Sequence, residues 1–184
     1  MTQQEKARSS AWGAPEEIIS YDHLILGVET MHVLIAALPV VCYGLALVLG
    51  LFQVTQPFGS SGLSPLLQWM LALGLGLPSL WAALGHAFLS EQVAKSIGWA
   101  TSPFQKEIAG ANLGIGLGAV CASIMGPPAA WAIFFVAAGF LWSAAAVHIM
   151  GVVREKNFAV NNVGPIFWWD LITPATILLL LCML

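Results

Sequence analysis

Five polar side chains near the ends of predicted helices are the residues of this sequence best suited to chemistry. His86, Glu107, Asn112, His148 and Asp170 come from four predicted helices, and we expect them at similar depth in a helical bundle. Ionisable groups within membrane helices are costly and commonly mark functional sites. The sequence therefore predicts a polar pocket at one end of the bundle. In the alternative interpretation, these side chains cap helix ends, where they reach water.

A second candidate site is formed by Glu29 and His32. The Glu-x-x-His spacing places a carboxylate and an imidazole on one face of a helix, as in di-iron bundles, although those bundles use two copies of the motif. The spacing indicates a metal site or, alternatively, a hydrogen-bonded pair at a helix end. The sequence contains no HExxH motif, histidine box, nucleotide-binding glycine loop or nucleophile elbow. No cofactor is identified by these patterns.

The composition indicates the environment in which these residues lie. Of the 184 residues, 59% are hydrophobic and only 8% are charged, whereas soluble domains carry about 25% charged residues. We therefore expect an integral membrane protein with the lipid bilayer as its main partner. The sequence has no basic patch, so nucleic acid is not an expected partner.

Five apolar segments predict an all-α bundle of five transmembrane helices. Residues 1–30 form a polar tail, for which an interfacial helix is one interpretation, and residues 31–184 form the transmembrane domain. A short interfacial helix, 91–97, precedes the third span. The predicted spans are 31–52, 64–88, 103–125, 128–153 and 165–184.

Local signals predict where several of these helices begin, bend and end. Ser64 is placed to cap the second span, Gly98 to end the short helix, and Ser102 with Gln105 to form a capping box at the third span. Pro78, together with two preceding glycines, predicts a kink halfway along the second span.

The basic residues predict the orientation of the bundle. With five spans, all six Lys and Arg residues fall on one side, which is the cytoplasm by the positive-inside rule. The N-terminus is then inside and the C-terminus outside. The six residues are Lys6, Arg8, Lys95, Lys106, Arg154 and Lys156.

Three glycines at intervals of four predict a smooth face on the third span. Gly110, Gly114 and Gly118 allow close approach of another helix. Packing within the bundle is one interpretation. Self-association or docking of another membrane subunit is the alternative.

The second half of the chain resembles an uncharacterised family of small polytopic bacterial membrane proteins. The motifs that carry the resemblance are SIGW (96–99), SPFQ (102–105) and ANLG (111–114). The resemblance implies a multi-pass protein of the bacterial inner membrane and implies no catalytic residue. Together with the missing catalytic motifs, it favours a non-catalytic accessory or scaffolding subunit. The alternative is a small-molecule, metal or haem site in a polar pocket that faces the cytoplasm.

The predicted orientation can be tested with fusion proteins. A reporter that is active only outside the cytoplasm should be active when fused after Leu184, because an odd number of spans places that end outside. The same reporter inserted after Lys156, in the predicted cytoplasmic loop, should be inactive. Cytoplasmic placement of the Leu184 fusion would rule out five spans with an inside N-terminus.

Overall fold

The computed structural model describes residues 36–54, 59 and 61–184. These residues form helices and irregular segments, with no strand among them. The stretch from Ala36 to Leu184 is one compact unit. The predicted tail and the Glu29–His32 pair lie outside the described residues.

Four of the described spans are long and apolar enough to cross a membrane. A shorter apolar helix precedes them, and an eight-residue helix lies between the first two. The all-helical class and the presence of helices long and apolar enough to span a membrane are thus confirmed, whereas the fifth span and the orientation stay predictions. The helices are α1 (Ala36–Leu51), α2 (Pro65–Phe88), α3 (Ser90–Ile97), α4 (Phe104–Met125), α5 (Pro127–Glu155), α6 (Val160–Val163) and α7 (Pro165–Cys182), and α6 with α7 makes up the fourth span, Val160–Cys182.

Two of the predicted helix boundaries are confirmed and one is wrong. Ser64 caps α2, since the Leu67 N–H donates to its Oγ at 3.3 Å. Gly98 ends α3 with φ of 82°, a left-handed conformation that favours glycine. The capping box at Ser102 does not form, because α4 begins at Phe104 without any side-chain cap. The side chain of Gln105 is buried and hydrogen bonds to His86 instead.

At the position of the predicted kink, α2 contains a π-helical segment, Met70–Gly76. Pro78 has no N–H to donate to the carbonyl of Gly74, four residues earlier. The indole N–H of Trp169, on α7, donates to that carbonyl at 2.9 Å. The break in one helix is therefore compensated by a side chain from another.

Apolar residues of α2, α4, α5 and α7 form the core around this break. Its buried members include Leu67, Leu71, Leu75, Ile115, Phe134, Leu141 and Ile177. A close approach of two helices lies beside it, between Gly76 on α2 and Gly116 on α4. A Cβ added at Gly116 would lie 2.7 Å from Leu80 Cγ and 3.0 Å from the Gly76 carbonyl oxygen. Only glycine fits at this crossing without displacing its neighbours.

The three glycines predicted to form a packing face differ in their surroundings. A Cβ added at Gly118 would lie 2.7 Å from Cδ1 of Ile133, on α5. Gly110 and Gly114 are exposed, and a Cβ added at either would meet no described atom within 4 Å. The face that packs against α2 is instead the one that carries Gly116, because α4 turns Gly110 and Gly114 away from α2.

Alanine substitutions should distinguish the two kinds of glycine. We expect Gly116→Ala to destabilise the fold by about 1–3 kcal/mol, because the added methyl group overpacks the α2–α4 crossing. The matched control is Gly114→Ala, which should be neutral or stabilise α4 by up to about 1 kcal/mol through helix propensity. Equilibrium unfolding in mixed micelles measures both. Equal losses at the two positions would contradict this packing.

Candidate functional site

The loop between α5 and α6 carries an asparagine that joins it to α3. The Asn157 Nδ2 donates to the carbonyl of Ile97 at 2.9 Å, and its Oδ1 accepts from the N–H of Ala159 at 3.0 Å. A Cβ added at Gly98 would lie 2.6 Å from Asn157 Oδ1. Glycine is therefore required at position 98 both for its backbone conformation and for this close contact.

Two further asparagines on α6 are buried and joined to other helices. The Asn161 Nδ2 donates to Ser96 Oγ at 3.0 Å, and that hydroxyl donates to the Val93 carbonyl at 2.8 Å. The Asn162 Nδ2 donates to the carbonyls of His148, at 3.3 Å, and Asn157, at 2.9 Å. These hydrogen bonds anchor the single turn of α6 to α3 and α5.

His148 lies at the centre of this group. Its Nδ1 is 2.8 Å from Asn162 Oδ1, and its Nε2 is 3.7 Å from Oδ2 of Asp170, on α7. The imidazole stacks on Trp99, with ring centroids 5.6 Å apart and an angle of 18° between the planes, and Phe167 meets it edge-on. His148 and Asp170 are each 4% exposed. We call the set His148, Asp170, Ser96, Asn157, Asn161 and Asn162 the polar layer.

The other histidine of the predicted pocket has separate partners. His86, near the end of α2, hydrogen bonds through Nδ1 to Gln105 Oε1 on α4. The Ser90 hydroxyl donates to the His86 carbonyl at 2.9 Å, and Lys106 Nζ donates to the carbonyl of Ala87. These contacts tie the end of α2 to α3 and α4.

The remaining predicted pocket residues form no hydrogen bond or ion pair with His148 or His86 in the described part of the chain. Asn112 is buried but donates to the carbonyl of Ile108, in its own helix, at 3.0 Å. Glu107 is exposed and forms no ion pair within the described part of the chain. Of the five predicted residues, the structure therefore places His148 beside Asp170 and leaves the other three outside that contact.

Residues suited to hold a metal ion are not clustered in the segments that the structure describes. No group of three or more His, Cys, Asp and Glu side chains is arranged around one point there. Glu29 and His32 lie outside those segments, so the metal site predicted for them stays a prediction.

Three residues that contact the predicted histidines or the asparagines of the polar layer, Ser96, Trp99 and Gln105, are not among the predicted site residues. All three belong to the SIGW and SPFQ motifs, in which they are the polar or amphipathic members between apolar helices. The spacing of Gln105 from Ser102 also fits a local helix cap, which is the role that the sequence predicts for it. His86 comes within hydrogen-bonding distance of Gln105 only because α2 packs against α4.

The polar layer can be tested by removing its central amide. We expect Asn162→Ala to destabilise the fold by about 1–3 kcal/mol for each buried partner that is left without a hydrogen bond. Its partners are the His148 ring and two backbone carbonyls. The matched control is Asn112→Ala, which removes a buried amide that bonds only within its own helix and should cost less. An unfolding free energy of Asn162→Ala equal to that of the wild type would show that the polar layer adds no stability.

Comparison with known proteins gives a family but no activity. Residues 36–184 match the model of a family of unknown function, DUF6790, and the chain belongs to this family. The resemblance to an uncharacterised family is thereby confirmed. No curated protein and no solved structure matches the chain.

Proposed function

We propose that this member of the DUF6790 family is a multi-pass protein of the bacterial inner membrane that acts as a non-catalytic accessory or scaffolding subunit. The observation that carries the proposal is the use of the polar layer. Its amides bond to backbone carbonyls, to a hydroxyl and to an imidazole of neighbouring segments. Such groups hold helix ends in place, and they leave few donors free to bind or activate a substrate.

The proposed topology has five spans and an inside N-terminus. Three basic residues are exposed near helix ends: Lys95 on α3, Lys106 at the start of α4 and Arg154 at the end of α5. Successive antiparallel spans would bring these helix ends to the same side of the membrane. Positive charge at these positions supports a cytoplasmic polar layer. In this topology α1 continues the apolar segment that begins at residue 31.

The surface of α4 supports a role in assembly. Gly110, Leu113, Gly114 and Leu117 are exposed along one side of the helix. Small residues spaced four apart are typical of contacts between transmembrane helices, although lipid covers such a surface equally well. Another membrane subunit or a second copy of the chain is therefore the partner that we propose.

A second candidate function is a small-molecule, metal or haem site that opens to the cytoplasm near His86, Glu107, His148 and Asp170. Two buried oxygens favour it. Asn161 Oδ1, in the polar layer, and Thr173 Oγ1, three residues after Asp170 on α7, have no hydrogen-bond partner among the described residues. Gln68 Oε1 and Ser79 Oγ, on α2, are also unpaired there. Buried polar atoms are usually paired, so a bound molecule would account for unpaired ones.

The mass of the native assembly separates the two candidates. The protein is extracted gently from its own membranes, and its complex is measured by native mass spectrometry. A large complex with other subunits is the expected result, and Gly114→Leu should release the chain from it if α4 is the contact. Val136→Leu, at an exposed position on α5, is the matched control. A monomer that carries a bound small molecule, metal or haem would favour the second candidate over the accessory role.

A further inference from the structure

The positions of hydrogen atoms around His148 follow from the amide of Asn162. One end of that amide lies 3.3 Å from the carbonyl oxygen of His148 and 2.9 Å from that of Asn157. Carbonyl oxygens only accept hydrogen bonds, so the amide atom beside them must be the nitrogen, with its two N–H donors. The other end, which faces the His148 ring, must then be the acceptor Oδ1.

The orientation of this amide fixes one proton of the imidazole. Asn162 Oδ1 lies 2.8 Å from His148 Nδ1 and has no hydrogen to donate. Nδ1 must therefore carry a hydrogen and donate it. A neutral imidazole with its hydrogen on Nδ1 presents a lone pair at Nε2.

The lone pair at Nε2 would face a second acceptor. Asp170 Oδ2 lies 3.7 Å from Nε2, and an ionised carboxylate only accepts hydrogen bonds. Both side chains are 4% exposed, so bulk water does not separate them. Two buried acceptors that face each other repel, and the contact becomes attractive when one of them gains a proton.

We propose that His148 and Asp170 form a buried proton-binding site that holds one proton more than a neutral imidazole and a carboxylate together. The proton lies on Nε2, giving an imidazolium beside a carboxylate, or on Asp170, giving a neutral carboxylic acid beside the Nε2 lone pair. The two arrangements contain the same number of protons and titrate as one pair. The ligand of this site is a proton, and the site is independent of the accessory role proposed above.

The charged groups of the packed helices leave the pair isolated. His148 with Asp170 is the only ion pair in the described part of the chain. The ionisable groups of α3, of the start of α4 and of the end of α5 are exposed, and His86 on α2 bonds to Gln105. Those exposed groups are Glu91, Lys95, Lys106, Glu107, Arg154 and Glu155. Trp99 and Phe167 cover the imidazole with aromatic surface instead.

The proposal is tested on the full chain in lipid nanodiscs. Nitrogen-15 NMR of labelled histidine reports the protonation of each ring nitrogen, and infrared spectroscopy reports the protonated carboxyl group. His148→Gln and Asp170→Asn assign the two signals by difference. At neutral pH we expect the pair to hold one extra proton. As the pH rises, the pair should lose this proton in a single step, and both signals should change at the same pH.

The outcome that would overturn the proposal is a neutral imidazole, in either tautomer, beside an ionised Asp170 at neutral pH. In Asp170→Asn, the new amide can donate to Nε2, so we expect His148 to stay neutral, with its hydrogen on Nδ1, at every pH that the fold tolerates. Glu107→Gln, which changes an exposed carboxylate, should leave both signals unchanged. The wild-type spectra show whether the pair holds the extra proton even if Asp170→Asn does not fold. The native mass of the assembly tests the accessory role separately, so either proposal can fail without the other.

Discussion

The interior of a bilayer offers no water to hydrogen bond with the backbone, and this constraint governs how the helices of this chain are broken and joined. Pro78 deprives the Gly74 carbonyl of its usual helical donor, inside a span where lipid cannot replace it. The indole of Trp169 supplies the donor from α7, so the π-helical segment of α2 and the position of α7 depend on each other. Gly76, two residues after that carbonyl, then allows α4 to approach α2 closely. The π-helical segment, the glycine crossing and the placement of α7 therefore form one structural unit.

The same constraint explains why the polar layer is built mainly from amides. A neutral amide can satisfy backbone groups of another segment without the large cost of burying a charge. Asn157 and Asn161 donate to α3, Asn162 donates to α5, and none of them needs a counter-charge. Because these bonds start from α6 and the loop before it, the ends of α3 and α5 are fixed relative to the start of α7.

Features that depend on a few neighbouring residues could be predicted from the sequence. The cap at Ser64, the left-handed Gly98 and the break near Pro78 are of this kind, and the structure contains all three. Features that depend on which face of a helix meets its neighbour could not be predicted. A spanning helix is apolar on its lipid side as well as on its core side, so periodicity does not separate the two faces. For this reason the sequence does not distinguish Gly114, which is exposed, from Gly116, which packs against α2. It also predicts a local capping role for Gln105, whose hydrogen-bond partner His86 lies on another helix.

The presence of an ionisable pair in a layer otherwise built from amides calls for a physical reason. Amide bonds to Ser96 and Ile97 join α6 and its preceding loop to α3, and they do so at any protonation state. His86 also keeps its bond in either state, because Nδ1 can donate to Gln105 Oε1 whether or not the other ring nitrogen is protonated. The contact between His148 and Asp170 differs, since without a shared proton it sets two acceptors against each other. Within the described polar layer, the contact between α5 and α7 is therefore the one whose strength changes with a single proton. In such a scaffold, loss of that proton weakens the α5–α7 contact and leaves the amide hydrogen bonds between the other segments unchanged.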